Sequence, residues 1–150
     1  MRYGVMLALL LAAAAAQASD YAREQKWADE ILPCVVVGDP VYLEQKNAHK
    51  FLSLLTKTPK TKAAVIVVHG IGVHPDWGVI GVLRSQLAEH GYTTLSVQMP
   101  ILARDASTEI YPATFPEADE RLQAAEQFLQ ARGYRKIALV SHSMGSRMSH

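Results

Sequence analysis

The residues with the clearest chemical potential in this chain are Ser141-His142-Ser143-Met144-Gly145, which directly follow an apolar run at residues 137–140. A strand that ends at small-His-Ser-x-Gly is typical of a nucleophile elbow, the sharp strand-to-helix turn that presents a serine hydroxyl. The turn strains the backbone of the serine, so the residues two before and two after it must be small. Ser141 and Gly145 meet that need. The pattern predicts Ser143 as a catalytic nucleophile.

Three segments in the second half of the chain are predicted to be the strands that position this serine. They lie at residues 63–68, 93–97 and 136–140, and the first is continuously apolar, as expected for a strand buried on both faces. Helical patterns separate the three segments. Strand–helix–strand order with short connections predicts an α/β fold with a parallel sheet and right-handed crossovers.

Two helices are predicted between these strands. Residues 76–90 carry Val79, Leu83 and Leu87 at helical spacing, and Gly91 follows as a C-terminal cap. The second helix begins at a capping box, carries an apolar stripe and ends at a glycine. The capping box is Thr114-Phe115-Pro116-Glu117, and the terminal glycine is Gly133. The apolar stripe consists of Ala118, Leu122, Ala125 and Leu129.

The segment before residue 63 carries weaker signals. Residues 19–32 predict either a short surface helix or an unstructured lead-in, ended by Pro33. Two short strands are expected on either side of a turn, and residues 49–55 are a third candidate. The first strand is Cys34-Val35-Val36-Val37, the turn is Gly38-Asp39-Pro40 and the second strand is Val41-Tyr42-Leu43. Cys34 is expected to be a buried, small apolar residue of its strand.

The first 18 residues have the pattern of a cleaved signal peptide. Arg2 provides a basic start, residues 5–16 are apolar, and Ala16-Gln17-Ala18 is a small-x-small cleavage site. A retained anchor is the alternative, but the apolar run is short for a membrane span of about 20 residues. We therefore expect domains at 1–18, 19–62 and 63–150, no stable membrane span, and an exported mature chain that begins near Ser19, either periplasmic or secreted.

Charge and cysteine content exclude several classes of function. The net charge of +1 and the absence of a basic run interleaved with aromatic residues argue against nucleic acid as a partner. Cys34 is the only cysteine, so no disulfide can form within the chain. No ligand spacing supports a metal site, and no cofactor is expected. A zinc site formed by His69, His74 and His142 is geometrically conceivable but is not favoured.

Two motifs together carry a resemblance to a known family. His69-Gly70-Ile71-Gly72 and the segment around Ser143 each follow an apolar strand, in the order seen in the first half of an α/β-hydrolase domain. Together with Val68, His74-Pro75-Asp76-Trp77 and Met99-Pro100, they resemble an exported bacterial α/β-hydrolase-like group of unassigned function. The resemblance covers roughly residues 63–150. It implies a parallel-sheet α/β-hydrolase fold, truncated after the elbow.

The resemblance also implies roles for residues of this chain. The backbone N–H groups of Ile71 and Met144 would form the oxyanion hole, while Gly70 and Gly72 would let their loop pass close to a substrate. Ser141 stands where the family more often has glycine. The family's triad acid and histidine follow the elbow, so both are expected beyond the chain end, and this fragment alone is expected to be inactive.

The other histidines are expected to support the site. His69 is predicted to anchor the oxyanion loop, and His142 to line the pocket, because neighbouring residues on such a turn point in different directions. His150 lies about 10 Å along the helix axis from Ser143 and cannot act as its base. For His74 and Trp77, a place at the site entrance and ordinary loop packing remain equally open.

Two functions from different classes fit the sequence. The first is an exported serine hydrolase that acts on a small-molecule carboxylic ester or related acyl bond. The alternative is a non-catalytic α/β-hydrolase-like binding or envelope accessory protein, because a fold does not fix its chemistry. The oligomeric state is left open.

Overall fold

The computed structural model of the chain describes residues 19–61 and 63–150, and the predicted signal peptide lies outside the described residues. Four α-helices and five strands are present in this part of the chain, with 3-10 helices at Leu32–Cys34 and Thr108–Thr114. In chain order the elements are α1 (Tyr21–Ile31), β1 (Asp39–Glu44), β2 (Lys50–Thr56), β3 (Ala64–Val68), α2 (Gly78–Glu89), β4 (Thr93–Val97), α3 (Phe115–Gln130), β5 (Ile137–Ser141) and α4 (Met144–Met148).

The five strands form one mixed sheet in the order β1-β2-β4-β3-β5. β3 lies between β4 and β5 and is parallel to both, as expected from the alternation of strands and helices. β1 and β2 are antiparallel, and β2 continues the sheet beside β4. The α/β fold class is therefore confirmed, and the segment before residue 63 extends the same sheet.

Both faces of the central strands are covered, which explains their continuous apolar sequence. Every residue of β3 is at most 5% exposed. On one face, Ile66 and Val68 pack with residues of α3 in the main core. On the other face, Val65 and Val67 pack against Ile80 of α2. Apolar burial on both sides fixes the end of β3, where the first of the two motifs begins.

The predicted strand at residues 34–37 is not formed, and the prediction that Cys34 is buried is wrong. Cys34 is exposed and ends the 3-10 helix that extends α1, and Val36 is 93% exposed in a loop. The predicted turn at residues 38–40 is also wrong, because β1 already begins at Asp39. Pro40 is tolerated there because β1 pairs only with β2 among the described strands, so its proline occupies an edge strand.

Two details predicted for the helices are also wrong. Val79 is 49% exposed, whereas Leu83 and Leu87 pack beside Ile80, which forms the buried face of α2 together with Arg84. Thr114 does not form a capping box with Glu117, because the preceding 3-10 helix runs directly into α3. The Thr114 hydroxyl donates to the carbonyl of Tyr111 instead, at 2.7 Å. Gly91 and Gly133 follow their helices with positive φ values of 91° and 89°, as predicted.

β5 is the most exposed strand of the parallel part of the sheet. Among the described strands it pairs only with β3, and Leu139 is 46% exposed. An open cleft of about 220 Å³ lies beside this edge, between α3 and the end of α4, and Ser143 does not line it. No helix among the described residues is long and apolar enough to cross a membrane.

Candidate active site

Ser143 occupies a strained turn between β5 and α4. Its backbone has φ 55° and ψ −127°, a combination that residues with a Cβ rarely adopt. Such a conformation costs about 1–3 kcal/mol and persists only when surrounding contacts impose it. Here the His142 N–H donates to the Val68 carbonyl at 2.9 Å, and the Gly145 N–H donates to the His142 carbonyl at 3.0 Å. These bonds hold the turn against the end of β3.

Glycines at both motifs allow the two loops to touch. A Cβ on Gly70 would lie 3.1 Å from the Ser143 Cβ and 3.4 Å from its Oγ. A Cβ on Gly145 would lie 2.5 Å from the backbone oxygen of His69, closer than real Cβ contacts allow. The structure therefore brings Gly70 against the turn of Ser143 and Gly145, which follow it in the sequence by more than 70 positions. Gly72 has φ 70°, and a Cβ there would meet no atom within 4 Å.

Ser141 and Ser149 form a contact that sequence reasoning missed. The two hydroxyls lie 2.8 Å apart, and Ser149 also donates to the Gly145 carbonyl at 2.7 Å. The pair ties the end of β5 to α4 across the turn. The hydroxyl at position 141 is thus satisfied locally.

His69 is fully buried and bridges two backbone segments. Its Nε2 accepts the Met99 N–H at 2.9 Å, and its Nδ1 lies 2.7 Å from the Gly70 carbonyl oxygen. Burial lowers the pKa of His69 to about 4, so the ring is neutral near pH 7. Since a backbone N–H can only donate, Nε2 must be the acceptor, and Nδ1 carries the proton donated to Gly70.

The bond from His69 sets the direction of the Ile71 N–H. The Gly70 carbonyl and the Ile71 N–H belong to one planar trans peptide, so fixing the oxygen points the N–H the opposite way. Within the described residues, no turn, loop or cap hydrogen bond uses the N–H of Ile71 or of Met144. Both donors predicted for the oxyanion hole are therefore free to bind an oxygen atom.

Aromatic side chains border the turn. The Trp77 and His142 rings lie 6.4 Å apart between centroids, and both residues are exposed. His74 is half-buried with its ring 6.0 Å from that of Trp27, and burial lowers the pKa of His74. Trp77 thus lies beside the residue that precedes Ser143, whereas His74 contacts the N-terminal helix.

No catalytic base contacts Ser143 within residues 19–61 and 63–150. No side chain in these ranges hydrogen-bonds the Ser143 hydroxyl, and the His142 ring is turned toward Trp77. His150 lies after the end of α4. No three His, Cys, Asp or Glu side chains of this part of the chain gather as metal ligands. What the site offers chemically is an exposed serine hydroxyl beside free backbone donors.

Comparison with known proteins decides the family. A family model described as a protein of unknown function, DUF3530, matches residues 4–120, which is most of the chain. The chain belongs to the DUF3530 family. No curated protein matches this DUF3530 chain. The matched residues include the loop that begins at His69 and end before the turn that carries Ser143.

Solved structures show the fold of this DUF3530 protein. The Pyrococcus furiosus esterase Pf2001 is 15% identical with a TM-score of 0.56, and the match covers 74% of this chain and 42% of the esterase. Est1E from Butyrivibrio proteoclasticus is 18% identical with a TM-score of 0.55, covering 75% and 43%. XC6422 from Xanthomonas campestris, an α/β serine hydrolase without a lid, is 16% identical with a TM-score of 0.57, covering 77% and 55%.

These matches confirm the expected fold. The DUF3530 chain has the α/β-hydrolase fold and spans about half the length of the hydrolases it matches. At identities below 20%, the likeness concerns the fold. The resemblance to an α/β-hydrolase group of unassigned function is confirmed as well.

Proposed function

We propose that this DUF3530 protein is an exported serine hydrolase that acts on carboxylic esters or related acyl bonds. The observation that carries the proposal is the backbone of Ser143, with φ 55° at the start of α4 and with Gly70 against its side chain. Strained residues of this kind cluster at functional sites. The turn leaves the Ser143 hydroxyl exposed, so a substrate can reach it.

In the proposed reaction, the Ser143 oxygen attacks the acyl carbon and loses its proton to a histidine. The carbonyl oxygen becomes an anion that the N–H groups of Ile71 and Met144 bind. Loss of one such donor typically costs about 3 kcal/mol of barrier. The alcohol then leaves with the proton, and water releases the acid from the acyl-enzyme. The proposal assigns the histidine and its acid partner to the remainder of the full-length protein.

Exposed apolar side chains at the start of α2 support a substrate class, and one of them, Trp77, lies with its ring 6.4 Å from that of His142. Trp77, Val79 and Val82 are 42%, 49% and 55% exposed, and they lie at the start of α2, after the loop that carries Ile71. An apolar surface of this kind suits an uncharged acyl or alcohol group. The esterases Pf2001 and Est1E share the fold. A small-molecule ester is therefore the proposed substrate.

The proposed location is the periplasm or the medium. The amino-terminal pattern Ala16-Gln17-Ala18 supports cleavage before Ser19. Amino-terminal sequencing of the exported protein should begin at Ser19. A first residue of Met1 would contradict export through a cleaved signal peptide.

A fluorophosphonate probe tests the proposed nucleophile. In the protein expressed from its complete reading frame, we expect one covalent adduct on Ser143 and none in Ser143→Ala. Ser146→Ala is the matched control, because Ser146 is exposed in the same short helix. It should be labelled at the wild-type rate. Failure of the wild-type protein to react, or equal labelling of Ser143→Ala, would contradict the proposal.

One observation favours the second candidate, a non-catalytic binding or envelope accessory protein. Within the described residues, no imidazole or carboxylate bonds the Ser143 hydroxyl. A full-length protein that binds an ester but leaves the probe unreacted would support this candidate.

A further inference from the structure

A fully buried arginine lies at one end of a hydrogen-bond chain that leads to the candidate site. Arg121 of α3 is 0% exposed, and each of its five N–H donors has an acceptor. Four acceptors belong to side chains, at 2.7–3.0 Å: both carboxylate oxygens of Glu24, one of Glu117, and the amide oxygen of Gln45. The fifth is the backbone carbonyl of Gln98, at 3.0 Å.

The bond from Arg121 to Gln98 fixes a peptide unit at the end of β4. The Gln98 carbonyl and the Met99 N–H share one trans peptide, so holding the oxygen aims the N–H in the opposite direction. That N–H donates to His69 Nε2 at 2.9 Å. The Gln98 side-chain amide lies 3.2 Å from the same ring nitrogen and also donates to the Met99 carbonyl. Both groups at Nε2 are donors, so they select the ring tautomer that carries its proton on Nδ1.

A second trans peptide is held in the same way on the Nδ1 side of the His69 ring. His69 Nδ1–H donates to the Gly70 carbonyl, and the Ile71 N–H of that peptide points onward. From Arg121 to Ile71, every bond therefore donates in one direction, beginning at a cation and ending at a free N–H. Successive bonds of this kind polarise one another, and in a dry interior the effect is larger than in water. The chain of bonds thus sets the direction of the Ile71 N–H.

We propose that Arg121 is a positioning residue for the oxyanion hole, acting through the Gln98–Met99 peptide, the His69 ring and the Gly70–Ile71 peptide. Glu24 and Glu117 hold the guanidinium in place, which couples the N-terminal helix α1 to the site. The effect on catalysis rests on the proposed function, whereas the direction of the hydrogen bonds does not. The two parts can therefore be tested separately.

The ¹⁵N chemical shifts of the His69 ring test the direction of the chain in the wild-type, full-length protein. We expect a neutral ring protonated at Nδ1, with Nε2 in the range of an acceptor. A ring protonated at Nε2 would break the chain at its centre and overturn the proposal. This measurement needs no substrate and no variant. It therefore tests the direction of the hydrogen bonds even if the fluorophosphonate probe leaves Ser143 unreacted.

The variant Arg121→Met tests the effect on the site. We expect the shift difference between the His69 nitrogens to shrink, the Ile71 amide signal to move, and the rate of fluorophosphonate labelling at Ser143 to fall about tenfold, since a misdirected donor loses part of its effect. Arg121→Lys, which keeps the cation, should recover part of the rate. Unchanged shifts and an unchanged rate in Arg121→Met would overturn the proposal.

A control must separate a general loss of protein stability in Arg121→Met from a change in the position of the Ile71 N–H. Leu129→Ala is the matched control, because Leu129 is 0% exposed on the same helix and packs in the main core without joining the chain. It should lower the melting temperature while leaving the His69 shifts and the labelling rate unchanged. An equal loss of rate in Leu129→Ala and Arg121→Met would overturn the proposal. If Arg121→Met does not fold, the ¹⁵N shifts of the His69 ring are measured in Glu24→Gln instead. Shifts identical to those of the wild-type protein would refute the coupling of α1 to the site.

Discussion

Replacing Ser143 by glycine should stabilise the protein while abolishing its proposed chemistry. The strain at φ 55° exists because a Cβ is present, and a conformation of this kind costs about 1–3 kcal/mol. Glycine removes that strain but adds about 0.4–1 kcal/mol of unfolded-state entropy. The hydroxyl is exposed and unbonded, so its loss changes little. The expected net gain is about 1 kcal/mol.

Two further substitutions make this expectation specific. Ser143→Ala keeps the Cβ and therefore the strain, so its stability should lie within about 0.5 kcal/mol of wild type. Ser146→Gly introduces glycine at an exposed position of the same helix where nothing is strained, and it should cost about 0.5–1 kcal/mol. The two glycine variants are thus expected to change stability in opposite directions.

Urea titration of the full-length protein measures these differences in the free energy of unfolding. In a thermal scan, a gain of about 1 kcal/mol for Ser143→Gly over wild type corresponds to a rise of about 3 °C in melting temperature. If Ser143→Gly were less stable than Ser143→Ala, the turn would not be strained, and the structural argument for a nucleophile would fail.

Three other predictions concern neighbouring parts of the structure. Gly145→Ala should destabilise the protein by about 2 kcal/mol in urea titration, because the new Cβ would lie 2.5 Å from the backbone oxygen of His69; an unchanged midpoint would contradict this packing. Burial holds the pKa of His69 at about 4, against 6.5 normally, so the unfolded chain binds the extra proton between these values. Stability from this group is complete above pH 6.5 and falls, by up to about 3 kcal/mol, as the pH drops toward 4. Urea midpoints at several pH values should therefore vary less in His69→Gln than in wild type, and equal dependence would refute the assignment. A polypeptide of residues 19–150 should aggregate through β5, and light scattering should show slower aggregation in Leu139→Lys. The same change at Val36, which is 93% exposed in a loop, should have no effect.

The central strands could be predicted from the sequence because burial on both faces requires apolar residues at successive positions. A continuous apolar run such as residues 64–68 is stable only where both faces are covered, and β3 has that environment. The run around Val36 has the same composition but lies in an exposed loop. There the N-terminal helix continues as a 3-10 helix, and the chain bends at Gly38 with φ 84° before β1 begins. Local composition does not reveal such a continuation.

The buried charges could not be predicted, because their partners are distant in sequence. Arg121 lies among the apolar residues of α3, where a charged residue normally indicates the solvent-facing side. Its bonds to Glu24 span 97 positions, and its bond to Gln98 spans 23. Only the spacing of Glu117 and Arg121, four apart on one helix, was a visible signal. The role of Gln98 depends entirely on the tertiary fold.

Both halves of the candidate site are built on the end of β3, which explains why the two motifs belong together. The carbonyl of Val68 accepts the N–H of His142 and so holds the turn of Ser143. The next two residues, His69 and Gly70, begin the loop that presents the Ile71 N–H. A shift of β3 would therefore move the serine and the oxyanion donor together, preserving their relative position. A strand that is at most 5% exposed and paired on both sides is a rigid base for this purpose, and the bond from His142 ties the turn after the more exposed β5 to it.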